Sequence, residues 1–256
     1  MGRLDGRVAI VTGAAHGERA AIGSVYAKAL AREGAKVTVA DIRDCRSVAE
    51  EIEAAQGSAL ALRLDVRDEA SVQAMVAKTV ERFGRLDILV NNAAIGSNIP
   101  PVPVSEMGLA QWDELMAVNV RGPFLCVKAA VPVMQRNNYG KIVNVGSTTM
   151  VTGLPNRLHY VTAKGAILAM TRALATELGP SGIRVNTISY GLVANPVTQG
   201  EFAAHPERRN AILGERAMAK DLLASDLVGT LVYLCAADSD AMTGQCIVVD
   251  NGAVYS

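Results

Sequence analysis

The 256-residue sequence is poor in aromatic residues, which make up 4% of it, and its 25 acidic and 25 basic side chains leave no net charge. Phosphate-backbone binding needs a concentrated basic surface, so this balance gives no reason to expect a nucleic-acid partner. Cysteine is scarce as well. Cys45, Cys126, Cys235 and Cys246 are scattered through apolar contexts without a CxxC or Cys/His cluster, and read as small core or surface residues, with no metal site and no disulfide framework. No uninterrupted apolar run approaches membrane-spanning length. The opening Met1-Gly2-Arg3-Leu4-Asp5-Gly6-Arg7 leads straight into Val8-Ala9-Ile10-Val11, leaving no room for a secretory stretch, and Gly6 stands where a myristoylation signal requires Ser or Thr. The expectation is a soluble cytoplasmic protein.

What the chain does have is alternation, with short β-branched runs each followed by an alanine-rich stretch of helical periodicity. The runs are 8–11, 37–40, 59–62 leading to 64–66, 88–90, 142–145, 183–186 and 247–249. Seven strands apolar on both faces predict an α/β fold: a doubly wound, seven-stranded parallel sheet with helices on each side. Gly34, Gly84 and Gly182 fall where helices should stop. No linker, repeat or composition shift divides the chain, so residues 1–256 read as one domain, half apolar and long enough for a full core. The polar, mixed-charge stretch 195–219 reads as an insertion over the sheet's C-terminal edge, a substrate lid.

After the first strand comes Thr12-Gly13-Ala14-Ala15-His16-Gly17-Glu18-Arg19-Ala20-Ala21-Ile22-Gly23, then a helix-like run. Glycines between strand and helix let the backbone approach a pyrophosphate, whose charge meets free N–H groups and the positive helix end. A tight βα turn without a ligand would also favour glycine. Asp41 ends the second strand, where a carboxylate can accept hydrogen bonds from the adenosine ribose and would repel a 2′-phosphate, which argues for NAD over NADP; Arg43 weakens this slightly. Asp65, after the third strand, could cap the adenine amino group, or act as a helix N-cap or solvated turn.

Ser147-Thr148-Thr149 follows the fifth strand, and Tyr160 and Lys164 stand four apart in a helix-like run, which puts them on one face. A phenol titrates near pH ~10, and an adjacent cation favours phenolate by roughly 1–3 units, bringing it toward acid/base strength. Ser147 would hold a substrate oxygen while Tyr160 exchanges its proton. Taken alone, the Tyr/Lys pair is equally an ordinary amphipathic helical pair.

In order along the chain, Thr12-Gly13 with Gly17 and Gly23, Asn91-Asn92-Ala93-Ala94, Asn119, Ser147, Tyr160-x3-Lys164, Tyr190-Gly191 and Thr243-Gly244-Gln245 resemble the motif series of the short-chain dehydrogenase/reductase superfamily. The resemblance spans nearly the whole chain and implies a Rossmann fold binding NAD, with Asn119, Ser147, Tyr160 and Lys164 catalytic. It implies that Asn91, Asn92 and Ala93 line the cofactor, with Ile22, Ile42 beside Asp41, Val66 beside Asp65, Gly191 and Val193 completing the cofactor set. Asn119 would hold a water linking Lys164 to solvent; it could otherwise be a plain buried polar residue. Self-association as a homotetramer is implied too.

Three departures stand out. Residues 18–21 separate Gly17 from Ile22-Gly23, so a longer loop is expected, in which Arg19 meets a phosphate or solvent. Tyr190-Gly191 replaces the usual Pro-Gly, placing an aromatic ring toward the substrate. Asn195 stands where a Thr often touches the carboxamide. The expected substrate wall, Thr149, Met150, Val151, Leu154, Ile95, Ile99, Tyr190 and Leu192 with Ser147 and Tyr160, is apolar and lacks an obvious basic clamp. It suits a hydrophobic, cyclic or aromatic secondary alcohol. His159 reads as a packing or helix-surface residue. The alternatives are a 3-oxoacyl thioester reductase, with Arg208 or Arg209 meeting an acyl carrier, and a non-catalytic dinucleotide-binding protein.

Overall fold

The computed structural model describes residues 2–17, 22–96 and 99–255, and the loop residues 18–21, with their expected extension and Arg19, lie outside them. Seven strands form a single sheet: β1 (Val8–Thr12), β2 (Lys36–Asp41), β3 (Ser58–Arg63), β4 (Ile88–Asn91), β5 (Gly140–Val145), β6 (Ile183–Tyr190) and β7 (Cys246–Val249). All pair in parallel in the order β3-β2-β1-β4-β5-β6-β7, as the alternation predicts. β1, β4 and β5 carry no exposed residue because helices cover both of their faces. On one side α1 (Ile22–Arg32), α2 (Arg46–Ala54) and α10 (Val228–Cys235) bring Leu30, Val48 and Leu231 to the core with Val11, Val39 and Ile188. On the other, α3 (Glu69–Phe83), α5 (Gly122–Arg136) and α7 (Leu158–Leu178) bring Met75, Met134 and Leu178 to Ile10, Leu89 and Val185.

The expected stops hold. Gly34, Gly84 and Gly182 take φ of 95°, 84° and 68°, a left-handed backbone that a Cβ would strain, and the Gly84 N–H closes α3 on the Val80 carbonyl at 2.7 Å. The observed strands are longer than the expected runs by one to four residues, and two departures are structural. Residues 64–66 leave the sheet, with Val66 packed against Gly122 of α5, and β6 runs on to Tyr190 because β7 continues to pair with it. The stretch 195–219 holds two helices, α8 (Pro196–Ala204) and α9 (Pro206–Gly214). α4 (Leu109–Met116) passes into α5 through a π-helical turn, Ala117–Arg121. The continuous helix Leu109–Arg136 is long and apolar enough to cross a membrane by composition, yet its inner face packs on α3, α7, β4 and β5, as a core helix does. The remaining helix, α6 (Thr149–Thr152), is a single turn.

At the N-terminal edge of the sheet, Asp87 has a fully buried side chain that accepts from the Val8 N–H at 2.9 Å and from Arg85 at 2.6 and 2.8 Å. It also pairs with Arg7, whose guanidinium stacks 3.7 Å over the Tyr139 ring. Lys141, equally buried, reaches Asp240 at 2.8 Å and Ser239 at 3.0 Å. The strands' C-terminal ends gather at the opposite edge, and the winding reverses between β1 and β4, where α/β sheets open a crevice.

Candidate active site

Thr12 ends β1 at that crevice and organises the loops on both sides. Its hydroxyl donates to the Val90 carbonyl and accepts the Asn92 and Ala93 N–H groups, both at 3.1 Å. The Asn92 amide donates to the carbonyls of Thr12 and Gly13 at 3.0 and 2.9 Å. The β1–α1 and β4–α4 loops therefore lie so close that a Cβ on Gly13 would sit 2.7 Å from the Ala93 Cα, and one on Gly23 would sit 2.1 Å from the Gly13 carbonyl oxygen. Asn92 thus braces the loop through its side chain. Asn91 is braced as well: its amide donates to Asn144 at 2.9 Å, Asn144 to Thr171, and Thr171 pairs with Thr187 at 2.8 Å, a buried polar chain under the crevice. The Asn91 Oδ1 is buried without a partner.

Asp41 lies at the end of β2, 6% exposed, accepting from the Ala15 N–H at 3.0 Å and the Arg43 N–H at 2.9 Å. The Arg43 guanidinium bends back over Gly17, within 3.0 Å of where a Cβ would stand. Ile42 next to it is half-exposed and Ile22 is buried. Among the described residues, α1 has no acidic residue in its first turn. Glycines at 13 and 23 that leave no room for a side chain, the start of a helix and a carboxylate at the second strand's end suit a dinucleotide. Asp65 and Val66 follow β3. Both Asp65 oxygens take Arg67 at 2.7–3.2 Å, which holds this carboxyl below its usual range, and the Val66 side chain belongs to the core.

Ser147, Tyr160 and Lys164 come together at the C-terminal end of β5. The Ser147 hydroxyl, 6% exposed, accepts from the Thr149 hydroxyl at 2.9 Å and interacts with the Tyr160 hydroxyl. Tyr160 packs with Ile95, Ile99, Leu115 and Ala163, and its ring lies 3.5 Å from where a Cβ on Gly96 would be. Lys164 is buried, donates to the Val145 carbonyl at 2.9 Å, and lies 5.8 Å from the Tyr160 ring centroid. Burial pushes the Tyr160 phenol above its ordinary value, and the Ser147 hydrogen bond and then the Arg157 charge pull it back. The Lys164 ammonium points at a backbone carbonyl, and burial lowers its own pKa to about 8.

Asn119, 2% exposed on the π-helical turn, clamps Ile95: its Oδ1 accepts the Ile95 N–H and its amide donates to the Ile95 carbonyl, both at 2.8 Å. π-helical turns concentrate at functional sites because the extra residue re-aims the backbone. Tyr190, half-buried, packs against the α1/α10 core, and burial followed by the nearby Tyr160 phenol raises its own phenol well above the ordinary range. Gly191 lies beside Thr148 and Asp250, and Val193 bridges to Leu222. Asn195 is the N-cap of α8, its side chain accepting the Val197 and Thr198 N–H groups at 3.0 Å. Thr149 is half-buried, while Val151 and Leu154 are exposed. His159 is completely buried, so it is a packing residue and not a helix-surface one.

The sequence reading missed Arg216, whose buried guanidinium donates to the carbonyls of Lys220 at 2.7 Å and Leu192 at 2.9 Å and so ties the 195–219 stretch to the Gly191–Val193 strand end. Nothing in a polar, charged segment distinguishes this arginine from its solvated neighbours.

Fold and site together define an oxidoreductase of the nicotinamide-dependent, doubly wound kind. Residues 13–254 match the family profile described as enoyl-(acyl carrier protein) reductase. The chain belongs to the short-chain dehydrogenase/reductase family, whose members bind a nicotinamide dinucleotide. It is 36% identical to a 2-(R)-hydroxypropyl-CoM dehydrogenase of Xanthobacter autotrophicus, over 96% of this chain and 97% of that one. It is 32% identical to a 3-oxoacyl-[acyl-carrier-protein] reductase of Thermotoga maritima, over 98% and 99%. A crystal structure described as a short-chain alcohol dehydrogenase of Sinorhizobium meliloti superposes with a TM-score of 0.89 at 36% identity, covering 98% and 97%.

Proposed function

We propose that this chain is an NAD(H)-dependent oxidoreductase interconverting a secondary alcohol and its ketone, with Ser147, Tyr160, Lys164 and Asn119 as its working residues. The observation that carries this reading is the convergence of a serine hydroxyl, a half-buried phenol and a buried ammonium at the C-terminal end of β5, on the sheet edge where the crevice opens. When bound, the dinucleotide accepts or donates the hydride. Ser147 donates a hydrogen bond to the substrate oxygen, and the Thr149 hydroxyl, donating to the Ser147 Oγ, makes that hydrogen bond stronger. In oxidation the Tyr160 oxygen, as phenolate, takes the carbinol proton as the C–H hydrogen leaves with its electron pair; in reduction the phenol gives that proton to the ketone oxygen and becomes phenolate again. Lys164 holds positive charge beside Tyr160 below pH 8. Since the Asn119 amide is committed to Ile95, its part in proton relay falls to the main chain of the π-helical turn.

Asp41 supports NAD over NADP, because a carboxylate at the end of β2 repels a 2′-phosphate. Gly13, Gly17, Gly23, Ala93, Gly191 and Val193 contribute backbone to the dinucleotide, and the α8–α9 stretch is the lid. Tyr190, Leu154 and Thr149 border the substrate. The exposed Phe124 and Leu109 and the half-exposed edge strand β7 suit self-association as a tetramer. The similarity to a 3-oxoacyl-[acyl-carrier-protein] reductase keeps a thioester substrate as the second reading.

The test is turnover of a panel of secondary alcohols with NAD and NADP, followed by nicotinamide absorbance. Tyr160→Phe should lower kcat by about 10³-fold while NADH still binds. Activity retained in that variant would refute the assignment. Tight NADH binding without turnover of any panel member would favour a non-catalytic protein.

A further inference from the structure

Arg157 is the residue that caps the start of α7, three positions before Tyr160 in the first turn, and it is half-buried. Among the described residues, the half-buried arginines elsewhere are matched to carboxylates: Arg7 and Arg85 to Asp87, Arg184 to Asp240, Arg209 to Asp221. Arg157 and Arg216 are not, and Arg216 has its guanidinium on two backbone carbonyls. Among the described residues, the Arg157 guanidinium has neither an ion pair nor a hydrogen bond. Its electrostatic neighbours are the Tyr160 phenol, the buried His159 and Arg208 of α9. No carboxylate acts on it, and Arg208, which is exposed, already leans on Glu201 at 3.4 Å.

Partial burial of a guanidinium without a counterion is unfavourable, and here desolvation pulls it below its ordinary value. The position is therefore a built vacancy for an anion next to the reacting phenol. A planar fork of donors matches a carboxylate better than any neutral group. The walls around Tyr160, Ile95 and Ile99, are apolar, so the rest of the ligand is hydrocarbon.

We propose that Arg157 determines substrate specificity and that the site takes hydroxy acids, with an apolar body, the carbinol at Tyr160 and the carboxylate on Arg157. It differs from the expectation of a wall without a basic clamp, and it rests on the oxidoreductase reading above. Arg157 was missed in the sequence because an arginine beside Asn156 in a loop-like stretch reads as solvated.

The experiment uses matched pairs, 3-hydroxycyclohexanecarboxylate and linear hydroxy acids, each beside its methyl ester. The acid should exceed the ester in kcat/KM by about 10–100-fold. Arg157→Met should collapse that ratio toward one and Arg157→Lys should leave it intermediate, with circular dichroism and NADH affinity reporting that the fold persists. Equal use of acid and ester by the unaltered protein, or a ratio insensitive to Arg157→Met, overturns the proposal. A binding arm separates this from the catalytic reading. In Tyr160→Phe with NADH present, cyclohexanecarboxylate should raise Tm and cyclohexanecarboxamide should not, and the added substitution Arg157→Met should abolish the carboxylate effect. Tm protection by acid and amide alike overturns the anion site even if Tyr160 proves catalytic. Turnover surviving Tyr160→Phe overturns the role given to Tyr160 while leaving the carboxylate preference measurable.

Discussion

At the N-terminal edge of the sheet, Asp87 is sealed from solvent and held by two arginines and a backbone N–H, and Lys141 beside it meets Asp240 and Ser239. At the C-terminal edge, among the described residues, Lys164 is buried against a lone carbonyl, Arg157 faces no acid, and the Asn91 Oδ1, both His159 ring nitrogens and the Asp250 Oδ2 are buried without partners. The first edge is built to be satisfied by the chain itself. The second leaves polar groups unmet, which destabilises the fold locally and prepares it for a ligand. One sheet thus carries stability at one end and chemistry at the other.

Three substitutions sharpen that contrast, in descending size. Asp87→Ala should cost about 3–5 kcal/mol, because two arginines and the Val8 N–H lose a buried acceptor, and Tm should fall by roughly 6–12 °C with activity per folded molecule retained. A Tm change under 2 °C would break the claim that this edge carries stability. Lys164→Met should do the opposite. The Lys164 pKa in the fold, about 8, lies below its ordinary 10.5, so the unfolded chain binds this proton more tightly and stability rises as pH climbs from 8 to 10.5. Removing the ammonium should therefore raise stability near pH 7 by about 1–2 kcal/mol, allowing for the Val145 carbonyl left without its donor, while activity is lost. The gain should shrink toward pH 10.5, and thermal melts from pH 6 to 10 would show it; a variant less stable than the parent at pH 7 contradicts the strained-edge picture. Smallest, Asn195→Ala removes the α8 cap and should lower stability by about 1 kcal/mol, with faster proteolysis inside 195–219 and little change elsewhere.

Much of this was legible beforehand. The strand runs, the helix-stopping glycines and the Ser147/Tyr160/Lys164 set fall where periodicity and spacing put them, because a two-face-buried strand and an i, i+4 pair are local patterns. What the sequence did not show is non-local: the Asn92 side chain braces Gly13 across the crevice, and the Val66 side chain turns into the core against α5. The Tyr160–Lys164 spacing is legible, but the direction of the ammonium is not, since the Val145 carbonyl that captures it belongs to another element.

The sequence by itself determined the parallel sheet, its winding and the residue types at its C-terminal edge, since strand period, helix period and glycine placement act within a few residues. Only the tertiary structure decided which charges are neutralised. That depends on which carboxylates, carbonyls and hydroxyls distant segments bring within about 3 Å, where hydrogen bonds form, and by that measure Arg85 is matched and Arg157 is left open.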